Sequence, residues 1–145
     1  DSTLHARPLC TSRVRVLASP DYLARTGRPK SVADLARHTL LGFHQPESLN
    51  HWPLRGEHGD AWPIVPSLTA SNGETLRQLA LQGVGIVCLS DFMTAADRAS
   101  GDLVQVLAKY TVEVRQPISA VYYRNTQLSA RITSFLDFLA ERLAD

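Results

Sequence analysis

The chain has 145 residues, of which 44% are hydrophobic and 20% charged, the balance of one ordinary globular domain with its own core. The 15 Lys and Arg against 14 Asp and Glu leave a formal charge of +1. The arginines occur singly, so nothing forms the basic stripe that grips nucleic-acid phosphates. No apolar run approaches the roughly 18 residues that span a bilayer. The N-terminus has no basic region followed by an apolar core, so the expectation is a cytoplasmic chain without membrane contact, or one whose signal was removed upstream of this numbering. Cys10 and Cys88 are too few for a disulfide framework and read as free thiols in a reducing compartment.

In chain order, Arg13 to Ala18 alternates and then turns apolar, which predicts a strand. Ser19 can cap a helix whose first residue is Pro20, and Gly27 stops it after Thr26. Ser31-Val32-Ala33-Asp34 has the form of a capping box and opens a short helix to about Arg37. Thr39 to Phe43 reads as a buried strand. From His44 to Ser67 four prolines and two glycines break the chain, and short strands at Trp52–Leu54 and Ala61–Val65 fit a hairpin. Leu68 to Ala70 starts another strand.

Ser71-Asn72-Gly73-Glu74 is an S-x-x-E capping box, with Ser71 as the expected cap. Leu76, Leu79 and Ala80 follow at helical spacing up to Gly83. Gly85 to Ser90 reads as a buried strand, Asp91 as the cap of a helix ending at Gly101, and Leu103 to Leu107 as a short strand. Val112 to Arg124 holds a longer strand interrupted by Pro117. Ile132, Phe135, Leu136, Leu139 and Leu143 then make the apolar stripe of a final amphipathic helix. Strand and helix alternation predicts an α/β fold with a mostly parallel or mixed sheet.

Several segments, in order and spacing over nearly the whole chain, resemble the effector-binding domain of LysR-type regulators. They are Val16 to Leu23 with Gly27 to Leu35, Leu68 to Gly73 with Ala80 to Ile86, Gly101 to Leu107, and the final helix. The resemblance implies a periplasmic-binding-protein-like type 2 fold of two lobes with a ligand cleft between them. It implies that the second lobe, about residues 18–111, is complete. Residues of about 1–17 and 112–145 would be first-lobe and hinge pieces, with the DNA-binding domain and the opening of the first lobe absent. The final helix would then expose an apolar stripe that the absent part covers.

A helix start offers unpaired backbone N–H groups and a partial positive charge, which suits a carboxylate or phosphate. The candidate effector site is therefore Ser71, Asn72 and Gly73. The resemblance adds Phe43 and the turn Val84, Gly85 and Ile86, and puts Ala18, Ser19 and Pro20 at the hinge. The competing reading is that Ser71 and Glu74 only cap the helix. Enzyme signatures are poorer: Thr69 stands where a nucleophile elbow needs its first glycine. His44, His51 and His58 recur at sevens but lie in a broken stretch, as loop histidines do, without a Cys/His doublet for zinc. Gly83 and Gly85 lack the third glycine of a dinucleotide site.

The resemblance thus implies a sensor without enzymatic activity, cofactor or metal. It would bind a small effector of unknown identity, a carboxylate being suited to the helix start. It would act through homo-oligomers and reach DNA only through the N-terminal domain. The alternative in another class is a solute-binding protein of a transport system, which uses the same fold.

Overall fold

A computed structural model of the chain describes residues 4–123 and 130–144. Asp1 to Thr3 and Arg124, expected in the first-lobe segment and the last strand, lie outside the described residues. The chain divides into two compact units, residues 13–114 and the described residues of 1–12 with 115–145. β1 (Leu4–Ala18) contributes to both.

The larger unit carries α1 (Pro20–Thr26), a short 3-10 turn at Val32–Arg37, β2 (Leu40–Phe43), a second at Glu47–Asn50, and β3 (His51–Trp52). β4 (Trp62–Pro63), β5 (Leu68–Ala70), α2 (Gly73–Leu81), β6 (Ile86–Ser90), α3 (Asp91–Ser100) and β7 (Val104–Gln105) follow. Local chemistry explains α1: Ser19 Oγ accepts the Tyr22 N–H at 3.1 Å, Pro20 occupies the first turn, and Gly27 ends it at φ 83°. At the next turn the Asp34 carboxylate accepts N–H groups from Lys30 at 2.8 Å and Ser31 at 3.1 Å. These two bonds hold its pKa down at about 2.

The sheet runs β5-β2-β6-β1-β7. β2 pairs in parallel with β5 and β6, while β1 is antiparallel to β6 and β7, so the sheet is mixed. β3 and β4 form the separate antiparallel pair expected of the hairpin. Alternation along the strands feeds two cores. Val16, Ala18, Leu40 and Ile86 join Tyr22, Leu35, Trp52 and Leu54. Leu17, Leu41, Val87 and Leu89 join Leu76, Ala80 and Leu103.

The smaller unit holds β8 (Arg115–Tyr123), which pairs with β1, and α4 (Ala130–Leu143). The stripe expected on α4 is covered only in part: Leu136 is buried, Leu139 and Leu143 are half-buried, and Ile132 and Phe135 are 44% and 51% exposed, with Phe138 beside them at 55%. Arg7 of β1 reaches Asp137 of α4 at 2.7 Å.

One partly buried polar arrangement ties α1 to the start of β2. The Thr39 N–H donates to Tyr22 Oη at 3.1 Å, and Tyr22 Oη lies 2.8 Å from His38 Nδ1. The hydroxyl, accepting from Thr39, can give its own proton to Nδ1 when the imidazole is neutral. Burial lowers the His38 pKa from its usual 6.5, the Arg37 charge adds to this, and Asp34 opposes it. The unfolded chain therefore takes up the proton first as pH falls below 6.5. His38 adds nothing to the pH dependence well above that value and lowers stability below it. Urea midpoints measured from pH 7.5 to 5.5 are expected to fall, and His38→Gln is expected to flatten that slope by up to one proton. A variant with the wild-type slope would exclude His38 as the source.

Candidate functional site

Parallel pairing brings the carboxyl ends of β2 and β5 to one edge of the sheet, where Phe43 and Ala70 are register partners. His44 N–H donates to Ala70 O at 2.9 Å, closing the last bond of the ladder. The carboxyl end of parallel strands is where open α/β sheets hold ligands. Phe43, half-buried, packs on the second core. Its backbone is fixed by buried Asn50, whose Oδ1 accepts the Phe43 N–H at 2.8 Å and whose Nδ2 donates to Phe43 O at 2.9 Å. Asn50 carries no sequence signal beyond being an Asn in a broken stretch.

After Ala70 the chain turns through exposed Ser71 and Asn72 into α2. The cap is Asn72 and not Ser71: Asn72 Oδ1 accepts the Thr75 N–H at 2.9 Å. Glu74 is spent on Arg77 Nη1 at 2.9 Å and on Gln78 Nε2 at 3.0 Å, so the expected Ser71–Glu74 box does not form. Gln78 and then Arg77 hold the Glu74 carboxyl below its usual range. At Gly73 a Cβ would lie 2.9 Å from Met93 Cε, so the start of α2 rests against a side chain of α3.

The turn Val84, Gly85 and Ile86 lies elsewhere. Leu40 pairs with Ile86, and Ile86 N–H donates to Thr39 O at 2.9 Å. These residues enter β6 at the amino edge of the parallel strands, the opposite end from Phe43 and Ala70. A loop entering a strand cannot share an edge with loops that leave its parallel neighbours. The residues of this segment that reach the Phe43 edge are Ser90 and Asp91. Ser90 holds the N-cap position of α3 and Asp91 is its first residue, correcting the expected Asp91 cap.

Ala18, Ser19 and Pro20 also sit away from the passages between the two units, which fall at 12–13 and 114–115. Ala18 is buried opposite Val104, and Ser19 and Pro20 form the start of α1. Cys88 in β6 is no candidate nucleophile, since burial pushes its thiol up to about 12. His44, His51 and His58 are exposed, and among the described residues no three His, Cys, Asp or Glu side chains group to hold a metal. No helix among the described residues is long and apolar enough to cross a membrane.

A mixed α/β sheet with helices on its faces is the architecture of a lobe of the periplasmic-binding-protein-like type 2 class. The family description "LysR substrate binding domain" matches residues 1–144, and the chain belongs to that family. It is 49% identical over 145 residues to the HTH-type transcriptional regulator CrgA of Neisseria meningitidis serogroup B, covering 100% of this chain and 48% of that protein. To the regulator DmlR of Escherichia coli it is 33% identical over 146 residues, covering 98% of this chain and 46% of DmlR. The chain thus spans about half the length of the curated relatives it matches. Among solved structures, the CrgA regulatory domain superposes with a TM-score of 0.93 at 50% identity, over 99% of this chain and 70% of that one. The AphB regulatory domain of Vibrio vulnificus gives 0.73 at 26% identity, over 98% and 70%. These relatives are transcriptional regulators, which favours the sensor over the transport alternative.

Proposed function

We propose that the chain is the ligand-sensing portion of a LysR-type transcription regulator, acting without catalysis in the cytoplasm. The second lobe is the unit of residues 13–114, and the other unit is a piece of the first. A small effector, with a carboxylate suited to the helix start, binds at the carboxyl edge formed by Phe43 and by Ser71, Asn72 and Gly73. The observation that carries this reading is the Phe43–Ala70 register, with α2 starting three residues beyond Ala70. The effector shifts the regulator only by its differential affinity for two arrangements. That shift reaches DNA through homo-oligomers and an N-terminal DNA-binding domain. In the intact domain the exposed apolar face of α4 is covered by the rest of the first lobe.

Gly73→Asp tests the site. An added side chain there meets the far end of Met93, which can swing aside, and an acid in the first turn suits the helix dipole. The fold is expected to stand while the new charge repels an anion. A thermal-shift screen of small carboxylates on the full-length protein supplies the ligand, and calorimetry compares wild type with Gly73→Asp. Binding should be lost at an unchanged melting temperature, and an unchanged affinity would remove this turn from the site.

A further inference from the structure

Charged side chains gather on the other flank of β6, along β1 and β7. Leu17 of β1 enters the second core, and Arg15 and Arg13 precede it at two-residue steps on the same face. Arg15 Nε donates to Asp91 Oδ1 at 2.5 Å, and its Nη1 to Gln105 Oε1 at 2.9 Å. Arg98 Nη2 lies 3.6 Å from the same Asp91 oxygen and Arg13 Nε 3.9 Å from the other. Arg13 Nη1 pairs with Glu113 Oε2 at 3.1 Å. Among the described residues three guanidiniums here meet the carboxylates of Asp91 and Glu113. A cavity of about 250 Å³ opens beside them, lined by Arg13, Arg15, Gln105, Thr111, Val112 and Glu113.

Arg15 spends two of its five N–H donors on Asp91 and Gln105. Asp91, with a side chain 24% exposed, is its fixed anchor; Glu113, at 50%, is the half-solvated partner of Arg13, and water screens that pair. We propose that this cavity is a second anion site, which takes a small organic carboxylate on Arg15 and exchanges Glu113 for the ligand at Arg13. Its lining residues differ from those of the Phe43–Gly73 edge and lie across β6 from β2 and β5, with Asp91 standing at the β6 end of that edge. Arg13 opens the larger unit and Glu113 lies one residue before its end, so occupancy changes the ion pair where both segments leave it.

The test is calorimetry on the full-length protein with sodium malonate, acetate and phosphate in chloride-matched buffer. Malonate is expected to bind once per chain, more tightly than acetate, because two guanidiniums line the cavity. Arg15→Gln should weaken it about tenfold or more. Glu113→Gln, at an exposed position, should tighten it several-fold by removing the competing carboxylate. Gly73→Asp should leave it unchanged, which separates this site from the proposed effector edge. The assignment is overturned if no carboxylate binds, if phosphate alone binds, or if Glu113→Gln leaves malonate affinity unchanged. It is equally overturned if Gly73→Asp abolishes malonate binding while Arg15→Gln does not.

Discussion

Asp97→Ala is expected to cost about 3 kcal/mol of folding stability, the range found when one partner of a buried ion pair is removed. Asp97 of α3 is buried, and Arg77 of α2 binds both its oxygens, Nε to Oδ2 at 2.6 Å and Nη2 to Oδ1 at 2.8 Å. This two-point contact fixes the relative placement of α2 and α3 as well as attracting them. The bond to Asp97 raises the Arg77 pKa, and without it the guanidinium, a strong base in its own right, still keeps its charge. Glu74 still holds Arg77 Nη1, and the Arg77 side chain is 22% exposed, which keeps the loss at the lower end of the range. Urea unfolding of wild type and variant measures it. A loss below about 1 kcal/mol would mean that water screens the pair as it does on an open surface. Because the contact joins the helix that starts at Gly73 to the one that starts at Asp91, the variant should also loosen the proposed effector edge.

Features written in consecutive residues were legible in the sequence. Ser19, Pro20 and Gly27 give α1 its cap, first turn and stop, and the structure places the helix between them. Asp34 likewise reaches back to Ser31 within one turn. Where two neighbours could do the same job, the sequence did not choose. Ser71 and Asn72 are both good caps, and the way the chain leaves β5 puts Asn72 over the Thr75 N–H. Ser90 and Asp91 pose the same choice: Ser90 takes the N-cap position without a side-chain cap bond, and the Asp91 side chain pairs with Arg15. The first half of β1 went unread because Pro8 and the polar run Thr11 to Arg13 hide its alternation.

The site was harder to read because it depends on direction. Gly85 to Ser90 was recognisable as a strand, but nothing within it says which end faces Phe43. That is settled by pairing with β2, more than forty residues earlier, through Leu40–Ile86 and Leu41–Val87. Once the pairing is parallel, Val84, Gly85 and Ile86 must lie at the amino edge. Asn50 was invisible for the same reason: it supplies Phe43 with side-chain hydrogen bonds, and only the folded chain brings the two together.

Gly85→Ala is therefore expected to be a stability variant rather than a binding variant, costing about 2–3 kcal/mol. A Cβ at Gly85 would lie 2.5 Å from Thr39 O and 3.1 Å from Thr39 C. Those atoms are backbone, and Thr39 O is the acceptor for Ile86 N–H, so relief requires β6 to move off β2. That movement would disturb Leu40 and Ile86 in one core and Leu41 and Val87 in the other. At Gly73 the same added carbon meets Met93 Cε, the end of a flexible side chain, and Gly73→Ala should be nearly neutral. Urea unfolding of the two alanine variants separates the two roles directly. Equal stabilities would show that the Thr39 contact yields as easily as Met93. A destabilised Gly85→Ala protein that still binds its effector with wild-type affinity at low temperature would show this glycine to be a packing residue of the sheet, with ligand recognition left to the opposite edge.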